Sequence, residues 1–134
     1  MSTYLKLLLI IGCLVASGTA LAADPAGEIP ALDPPHLDAA LGAGKWLFVE
    51  FGGEHCIPCK AMQPILRDLQ STLGERGMVR NFWIQKHPET ARRFRIMVMP
   101  TQVVFNPKGE EVLRHQGIWP AEELKAALAK VGAL

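Results

Sequence analysis

A single Cys-x-x-Cys segment constrains this chain more than any other feature of its sequence. Residues 56–59 read Cys-Ile-Pro-Cys, and they lie between a compact apolar run at 46–51 and a longer stretch with helical periodicity. The apolar run has the length and composition of a buried parallel strand, which Gly52-Gly53 ends. A disulfide between cysteines three positions apart restricts the unfolded chain very little, so it adds little stability. The pair therefore indicates chemistry rather than architecture.

The hydrophobic pattern on either side of this segment predicts alternating strands and helices. Strands are expected at 46–51, 79–84, 101–105 and 110–115, with a weak edge strand at 28–32; helices are expected at 36–43, from the cysteines to residue 73, at 87–94 and from residue 120 onward. Strands joined through a helix pair in parallel, and strands joined by a tight turn pair antiparallel. The predicted fold class is therefore α/β, with a mixed central β-sheet flanked by helices on both faces.

The N-terminal 22 residues are typical of a cleaved secretory signal peptide. One cation, Lys6, precedes an apolar run at 7–15, and residues 20–22 form an Ala-x-Ala cleavage site. Two alternatives remain open: an uncleaved membrane anchor, although the run is shorter than the ~20 residues of a spanning helix, and a lipid anchor on Cys13. Residues 23–35 follow as a proline-rich leader, and 36–134 as the folded domain. We therefore expect a periplasmic or otherwise exported protein.

The near-equal numbers of cationic and anionic residues argue against a nucleic-acid partner. The chain carries 14 Lys and Arg residues against 13 Asp and Glu residues, a formal net charge of +1. Nucleic-acid binding usually requires a basic stripe, so we expect no nucleic-acid partner. Arg92, Arg93 and Arg95 form a small basic cluster, which we interpret as a solvated helix face, with a docking role as the alternative. We expect a monomer.

The two cysteines of the 56–59 segment differ in their predicted environments. Cys56 falls at or just before the first turn of a helix, where free backbone N–H groups and the helix dipole lower the pKa of a thiol below its usual value of about 8.5. Cys59 lies one turn further on, and we expect it to be buried and protonated. Three alternatives remain open: zinc or copper binding with further ligands, two unreactive core cysteines, and a permanently closed structural bridge.

Two segments resemble the thioredoxin family. Residues 48–64 read Phe-Val-Glu-Phe-Gly-Gly-Glu-His-Cys-Ile-Pro-Cys-Lys-Ala-Met-Gln-Pro and are similar to the active-site segment of that family, while Met99-Pro100-Thr101 is similar to its cis-proline motif. The resemblance covers nearly all of residues 45–131. It implies a thioredoxin-like fold and thiol–disulfide exchange through a redox-active disulfide, with Cys56 as the attacking thiolate and Cys59 as the resolving thiol. It implies no cofactor and no metal.

The resemblance also implies a substrate-binding surface around the two cysteines. Pro100 forms a cis peptide bond with Met99, which exposes the Met99 backbone for pairing with a substrate strand. Ile57 and Pro58, between the cysteines, complete the expected substrate contacts. The alternative for Pro100 is an ordinary trans proline at the start of a strand.

Glu50 is the polar residue that interrupts the apolar run at 46–51. The resemblance implies a buried carboxylate linked to Cys59, and burial raises the pKa of such a group so that it can exchange a proton with the thiol. The alternative is an exposed edge position. Two neighbours depart from the family pattern: His55 replaces the usual tryptophan, and Asn81 replaces an expected lysine. His55 either tunes the Cys56 thiolate or is a solvated loop residue.

Pro58 bears on the direction of electron flow. Oxidants and isomerases of the superfamily tend to carry histidine at this position, whereas proline is typical of its reducing members and donates no hydrogen bond to a thiolate. We therefore predict a reductase or electron carrier. The resemblance implies cysteine-containing exported proteins as acceptors and a membrane thiol–disulfide transporter as electron donor. An exported oxidant or isomerase and a metal-binding module of the same fold are the alternatives.

Overall fold

The strands and helices follow the predicted alternation closely. The computed structural model describes residues 27–134. In chain order the elements are β1 (Ala31–Leu32), α1 (Pro34–Leu41), β2 (Trp46–Gly52), α2 (Ile57–Leu73), a short 3-10 turn (Gly74–Arg76), β3 (Gly77–Trp83), α3 (Pro88–Arg93), β4 (Thr101–Phe105), β5 (Glu111–Gln116) and α4 (Ala121–Lys130).

The five strands form one mixed sheet in the order β1-β3-β2-β4-β5. The β1–β3 and β3–β2 pairs are parallel, and the β2–β4 and β4–β5 pairs are antiparallel. The connections explain part of this pattern: β2 and β3, joined through α2, are parallel, and the β4–β5 hairpin is antiparallel. Helix α3 joins β3 to β4, yet β4 pairs antiparallel with β2, which is parallel to β3, so the expectation that strands joined through a helix are parallel is wrong at this connection. The prediction of a mixed sheet in an α/β fold is confirmed.

Each face of the sheet is covered by its own apolar cluster. On one face, apolar side chains of α2 and α4 pack on Phe48 and Val104, and on the other Leu37 of α1 packs on Leu47 and Val49. Successive side chains of a strand point to opposite faces, which is why neighbouring residues of β2 belong to different clusters. The same alternation directs Glu50 to the face that α2 covers.

Helix α1 begins at Pro34, two residues before the predicted start. Asp33 caps this helix, since its Oδ1 accepts a hydrogen bond from the backbone N–H of His36 at 3.0 Å. The two prolines that follow Asp33 occupy the first helical positions, where a missing N–H breaks no intrahelical bond. Prolines that read as an extended leader therefore start the helix instead.

The described part of the chain begins at residue 27, so the predicted signal peptide and Cys13 lie outside it. Within residues 27–134, no helix combines the length and the apolar composition needed to cross a lipid bilayer. Ile29, which precedes β1, is buried in the cluster beneath α2. Part of the segment read as a leader thus packs against the domain.

Candidate redox site

The two cysteines lie where β2 ends and α2 begins, and they form a disulfide. Cys56 is the N-cap of α2, and its Sγ accepts a hydrogen bond from the backbone N–H of Cys59 at 3.3 Å. Cys56 is partly exposed, whereas only 2% of Cys59 is exposed. An N-terminal helix position offers donors and a favourable dipole to a negatively charged sulfur, so Cys56 is the sulfur that is both accessible and stabilised as a thiolate after reduction.

Gly52 makes room for the buried sulfur. A Cβ atom at this position would lie 2.7 Å from the Sγ of Cys59, much closer than nonbonded atoms approach. Gly52 is the last residue of β2 rather than part of the loop, so the strand passes directly against the disulfide. Gly52 therefore admits the disulfide, and the strand ends between Gly52 and Gly53.

A second loop approaches the disulfide from β4. The Met99–Pro100 peptide bond is cis. Pro100 is buried, and its carbonyl oxygen accepts a hydrogen bond from the N–H of Gly117 at 2.8 Å. The Sδ of Met99 lies 3.4 Å from where a Cβ of Gly53 would be, so Met99 lies against the turn that leads to Cys56.

Large apolar side chains are exposed on this loop, on the first turn of α2 and just after β5. We call this set the apolar rim; it consists of Ile57, Met97, Val98, Met99 and Ile118. Ile57 and Met97 are more than four-fifths exposed, at 81% and 82%. Pro58, the other predicted substrate contact, is half-buried between the two cysteines. Of the apolar rim, the sequence predicted only Ile57 and Met99 as substrate contacts.

Glu50 is fully buried in the middle of the sheet. Burial raises the pKa of its carboxyl group to about 7, and a hydrogen bond from Gln102 opposes that rise. In this bond the Nε2 of Gln102 donates to Oε2 of Glu50 at 3.2 Å. An exposed edge position for Glu50, which the sequence left open, is wrong.

Glu50 and Cys59 are linked through Gln63 of α2. The Nε2 of Gln63 lies 3.5 Å from Oε1 of Glu50 and 3.4 Å from the carbonyl oxygen of Cys59. Asn81, where a lysine was expected, is also buried and contacts Gln63 instead of providing a charge, with 3.2 Å between the Nε2 of Gln63 and the Oδ1 of Asn81. The carboxyl group is therefore surrounded by neutral amides.

Sequence reasoning missed Gln63 and Gln102. Gln102 is a polar residue inside an apolar strand, which is the same feature that identified Glu50. Gln63 lies on the buried face of α2 between Met62 and Leu66. Both were detectable as polar residues at core positions, and such residues usually have a hydrogen-bonding partner.

The remaining predicted features lie at the edge of the site. His55 is exposed on the turn before Cys56. Beside it, the Nζ of Lys86 forms an exposed ion pair with Oε1 of Glu54 at 2.7 Å. Within residues 27–134, no group of three or more His, Cys, Asp or Glu side chains is arranged to hold a metal ion.

The fold and the cysteine pair define a class of protein. A partly exposed cysteine that caps a helix, bonded to a buried cysteine one turn later, is the arrangement of a thiol–disulfide oxidoreductase. A family model described as a thioredoxin-like domain matches residues 34–132, so the chain belongs to the thioredoxin-like domain family.

Similar proteins agree with this assignment. The chain is 31% identical over 100 residues to a thioredoxin of Alicyclobacillus acidocaldarius subsp. acidocaldarius, a match that covers 75% of this chain and 94% of that protein. It is 34% identical over 83 residues to a thioredoxin-like protein of Synechocystis sp., covering 62% and 78% respectively. The crystal structure of chloroplastic thioredoxin z matches with a TM-score of 0.70 at 21% identity, covering 81% of this chain and 97% of that chain, and shares its fold. The chain is a thiol–disulfide oxidoreductase of this family.

Proposed function

We propose that this protein is a reductase that transfers two electrons from its reduced cysteine pair to disulfides of exported proteins. The observation that carries the proposal is the asymmetry of the pair: Cys56 is accessible and caps the N-terminus of α2, whereas Cys59 is buried one turn further on. One sulfur can therefore meet a substrate while the other stays protected from it.

Exchange proceeds in two displacement steps. The Cys56 thiolate attacks one sulfur of the substrate disulfide; a new S–S bond forms, the substrate S–S bond breaks, and the other substrate sulfur leaves as a thiolate that takes a proton from water. Cys59 then attacks the Sγ of Cys56, which breaks the mixed disulfide and releases the second substrate thiolate. The substrate has gained two electrons, and a dithiol donor must reduce the Cys56–Cys59 disulfide before the next cycle.

Glu50 accepts the proton that Cys59 loses in the second step. A buried thiol becomes a nucleophile only when it loses its proton, and Glu50 is the buried carboxyl group that Gln63 joins to the Cys59 backbone. Because burial raises the pKa of Glu50 to about 7, both forms of the carboxyl are populated near neutral pH. The ionised form accepts the proton as Cys59 attacks, and the protonated form returns it when the disulfide is reduced again.

Pro58 supports the reducing direction. It lies between the cysteines and has no backbone N–H, so it donates nothing to a Cys56 thiolate. A less stabilised thiolate disfavours the reduced form, and the reduced protein then gives up its electrons more readily.

The N-terminal sequence supports an exported location. Lys6, the apolar run at 7–15 and the Ala-x-Ala site at 20–22 have the order of a secretory signal peptide. The clients are then cysteine-containing exported proteins, and the electrons come from a membrane thiol–disulfide transporter. Fractionation of cells that express the full chain tests the location: we expect the processed protein outside the cytoplasm, and an unprocessed cytoplasmic protein would contradict it.

The reduction potential tests the direction. Purified protein is equilibrated in buffers with graded ratios of reduced to oxidised dithiothreitol or glutathione, and the fraction of Cys56–Cys59 disulfide is read by alkylation and mass spectrometry. We expect a potential below about −220 mV, within the range of reducing members of the fold. A value near −120 mV, which is that of a strong oxidant, would reverse the proposed direction.

A further inference from the structure

Three buried polar side chains form a row across the sheet behind the disulfide. Asn81 of β3, Glu50 of β2 and Gln102 of β4 are partners in register, and none of them is exposed to solvent. Gln63 of α2 approaches the same row from the covering helix, and it is 5% exposed. Buried polar groups are informative because each loses its hydration and needs a partner in return.

The amide of Gln102 is held in one orientation. Its Nε2 donates to Oε2 of Glu50 at 3.2 Å and to the carbonyl oxygen of Gly117 at 3.1 Å. The Gly117 carbonyl only accepts hydrogen bonds, so rotating the amide by 180° would set two oxygens against each other. The Oε1 of Gln102 has no partner among residues 27–134. An unpaired buried acceptor is destabilising, and an apolar side chain here would avoid that loss.

The amide of Gln63 is likewise held in one orientation, and it faces Oε1 of Glu50, the other carboxyl oxygen. The Oε1 of Gln63 accepts from the N–H of Ile29 at 2.9 Å and from Nδ2 of Asn81 at 3.3 Å. The Nε2 of Gln63 is thereby directed toward Oε1 of Glu50. Each carboxyl oxygen therefore faces an amide donor, and donors stabilise the ionised form of an acid.

Among residues 27–134, no charged side chain forms a hydrogen bond or ion pair with Glu50. The groups around Glu50 in the described part of the chain are Asn81 from β3, Gln102 from β4 and Gln63 from α2. Cys59 is the titratable residue linked to them, because Gln63 also contacts its backbone carbonyl oxygen. None of the ion pairs within residues 27–134 includes Glu50.

One further titratable group lies beyond Gln102 in the same row. His115 of β5 is the register partner of Gln102, and its Nε2 lies 3.1 Å from the carbonyl oxygen of Ile118. Its ring stacks on Trp119, with 4.6 Å between the ring centroids. Gln102 therefore separates His115 from Glu50 along the sheet.

We propose that Gln102 is a positioning residue for thiol–disulfide exchange, because its oriented amide donates to Glu50 and favours the ionised, proton-accepting form of that carboxyl group. Gln63 supports the same form through the other carboxyl oxygen. The inference rests on the proposed function, in which Glu50 accepts the Cys59 proton during the resolving step.

The test substitutes Gln102→Leu in the full chain and follows Glu50 directly. The side-chain carboxyl ¹³C resonance of Glu50 is titrated in the reduced protein, and the pH profile of the resolving step is measured by rapid mixing with a protein disulfide. Loss of one hydrogen bond to an ionised group should raise the Glu50 midpoint by about one pH unit or more. The pH profile of the resolving step should move by the same amount in the same direction. An unchanged or lowered carboxyl midpoint would overturn the proposal.

Gln70→Leu is the matched control. The Gln70 amide contacts the outer edge of β3, where its Nε2 donates to the carbonyl oxygen of Gly77 at 3.2 Å and its Oε1 accepts from the N–H of Val79 at 2.8 Å. It touches no atom of Glu50, so its removal should leave the midpoint in place. If Gln102→Leu fails to fold, Gln102→Met keeps the unbranched shape without the amide, and the same upward movement is expected.

Failure of this inference is distinguishable from failure of the proposed function. A reduction potential near −120 mV would reverse the direction of electron flow and leave the Gln102-dependent titration of Glu50 unchanged. If the Glu50 carboxyl midpoint is the same in Gln102→Leu as in the wild type, the positioning role is refuted while the reductase assignment stands.

Discussion

The two sides of the disulfide depart from the usual burial pattern in opposite ways. In front of it, the apolar rim leaves large side chains such as Ile57 and Met97 in water. Behind it, Glu50 and Gln102 are buried in the sheet where apolar residues would pack. Exposed apolar side chains are typical of a surface that binds a partner, and a buried ionisable group is typical of a site of proton transfer. We therefore expect substrate recognition on the exposed side of the cysteine pair and proton transfer on its buried side.

The cysteines themselves should give the largest effect. Cys56→Ser should abolish exchange, a loss of more than about a thousand-fold, because no nucleophile remains on the exposed side. Cys59→Ser should keep the first step and accumulate mixed disulfides through Cys56, which non-reducing electrophoresis and mass spectrometry would detect. If mixed disulfides are instead trapped on Cys59 in the Cys56→Ser variant, the assignment of Cys56 as the exposed nucleophile and Cys59 as the buried resolving thiol is wrong.

Glu50→Gln should affect only the chemistry behind the disulfide. At pH 8, where the wild-type carboxyl is ionised, we expect the resolving step to slow by about 100-fold, in the range of a general acid–base residue. The inflection near pH 7 should disappear from its pH profile, since it belongs to the Glu50 carboxyl. Attack by Cys56 on a small chromogenic disulfide serves as the internal control and should be unchanged. If the inflection persists in Glu50→Gln, it belongs to another group and its assignment to Glu50 is wrong.

The same carboxyl group should make stability depend on pH. Burial raises its pKa from the ordinary value of 4.5 to about 7 in the folded protein, so between those pH values the folded state binds a proton that the unfolded state does not. Stability attributable to Glu50 is therefore present at low pH and falls as pH rises through this window, by up to about 3 kcal/mol. Relative to Glu50→Gln, the wild type should lose this amount between pH 4 and pH 8 in urea unfolding. Parallel profiles for the two proteins would contradict the burial of an ionisable carboxyl.

The apolar rim should give the smallest effect, and only with large substrates. Ile57→Ser or Met97→Ser should lower kcat/KM for a protein disulfide by about 5-fold, as expected when about 1 kcal/mol of apolar burial is lost. With a small chromogenic disulfide the same variants should match the wild type, because such a substrate covers little of the rim. Equal losses with both substrates would mean that the substitutions damage the cysteine pair instead of recognition.

Local features of the sequence predicted much of the site. The cysteines follow an apolar strand and begin a helix, and Glu50 interrupts that strand, so all three were recognisable from neighbouring residues. The order of strands and helices likewise predicted a mixed sheet, but it did not predict that β4 runs antiparallel to β3, to which helix α3 joins it.

The contacts behind the disulfide depend on register, which local patterns do not specify. Gln102 meets Glu50 across 52 positions of sequence because β2 and β4 pair antiparallel in one particular alignment. Gln63 meets Asn81 only once α2 lies over β3. Helix α1 was misplaced by two residues for a different reason: Asp33 caps the helix and makes its prolines good starting residues.

The reactivity of the two thiols tests the central claim most directly. In the reduced protein, alkylation rates of Cys56 and Cys59 are measured separately by peptide mapping from pH 5 to pH 10. The account predicts that Cys56 is labelled first, with a midpoint below about 8.5, while Cys59 stays protected in the folded protein. Equal labelling of both cysteines with an ordinary thiol midpoint, or faster labelling of Cys59, would contradict it.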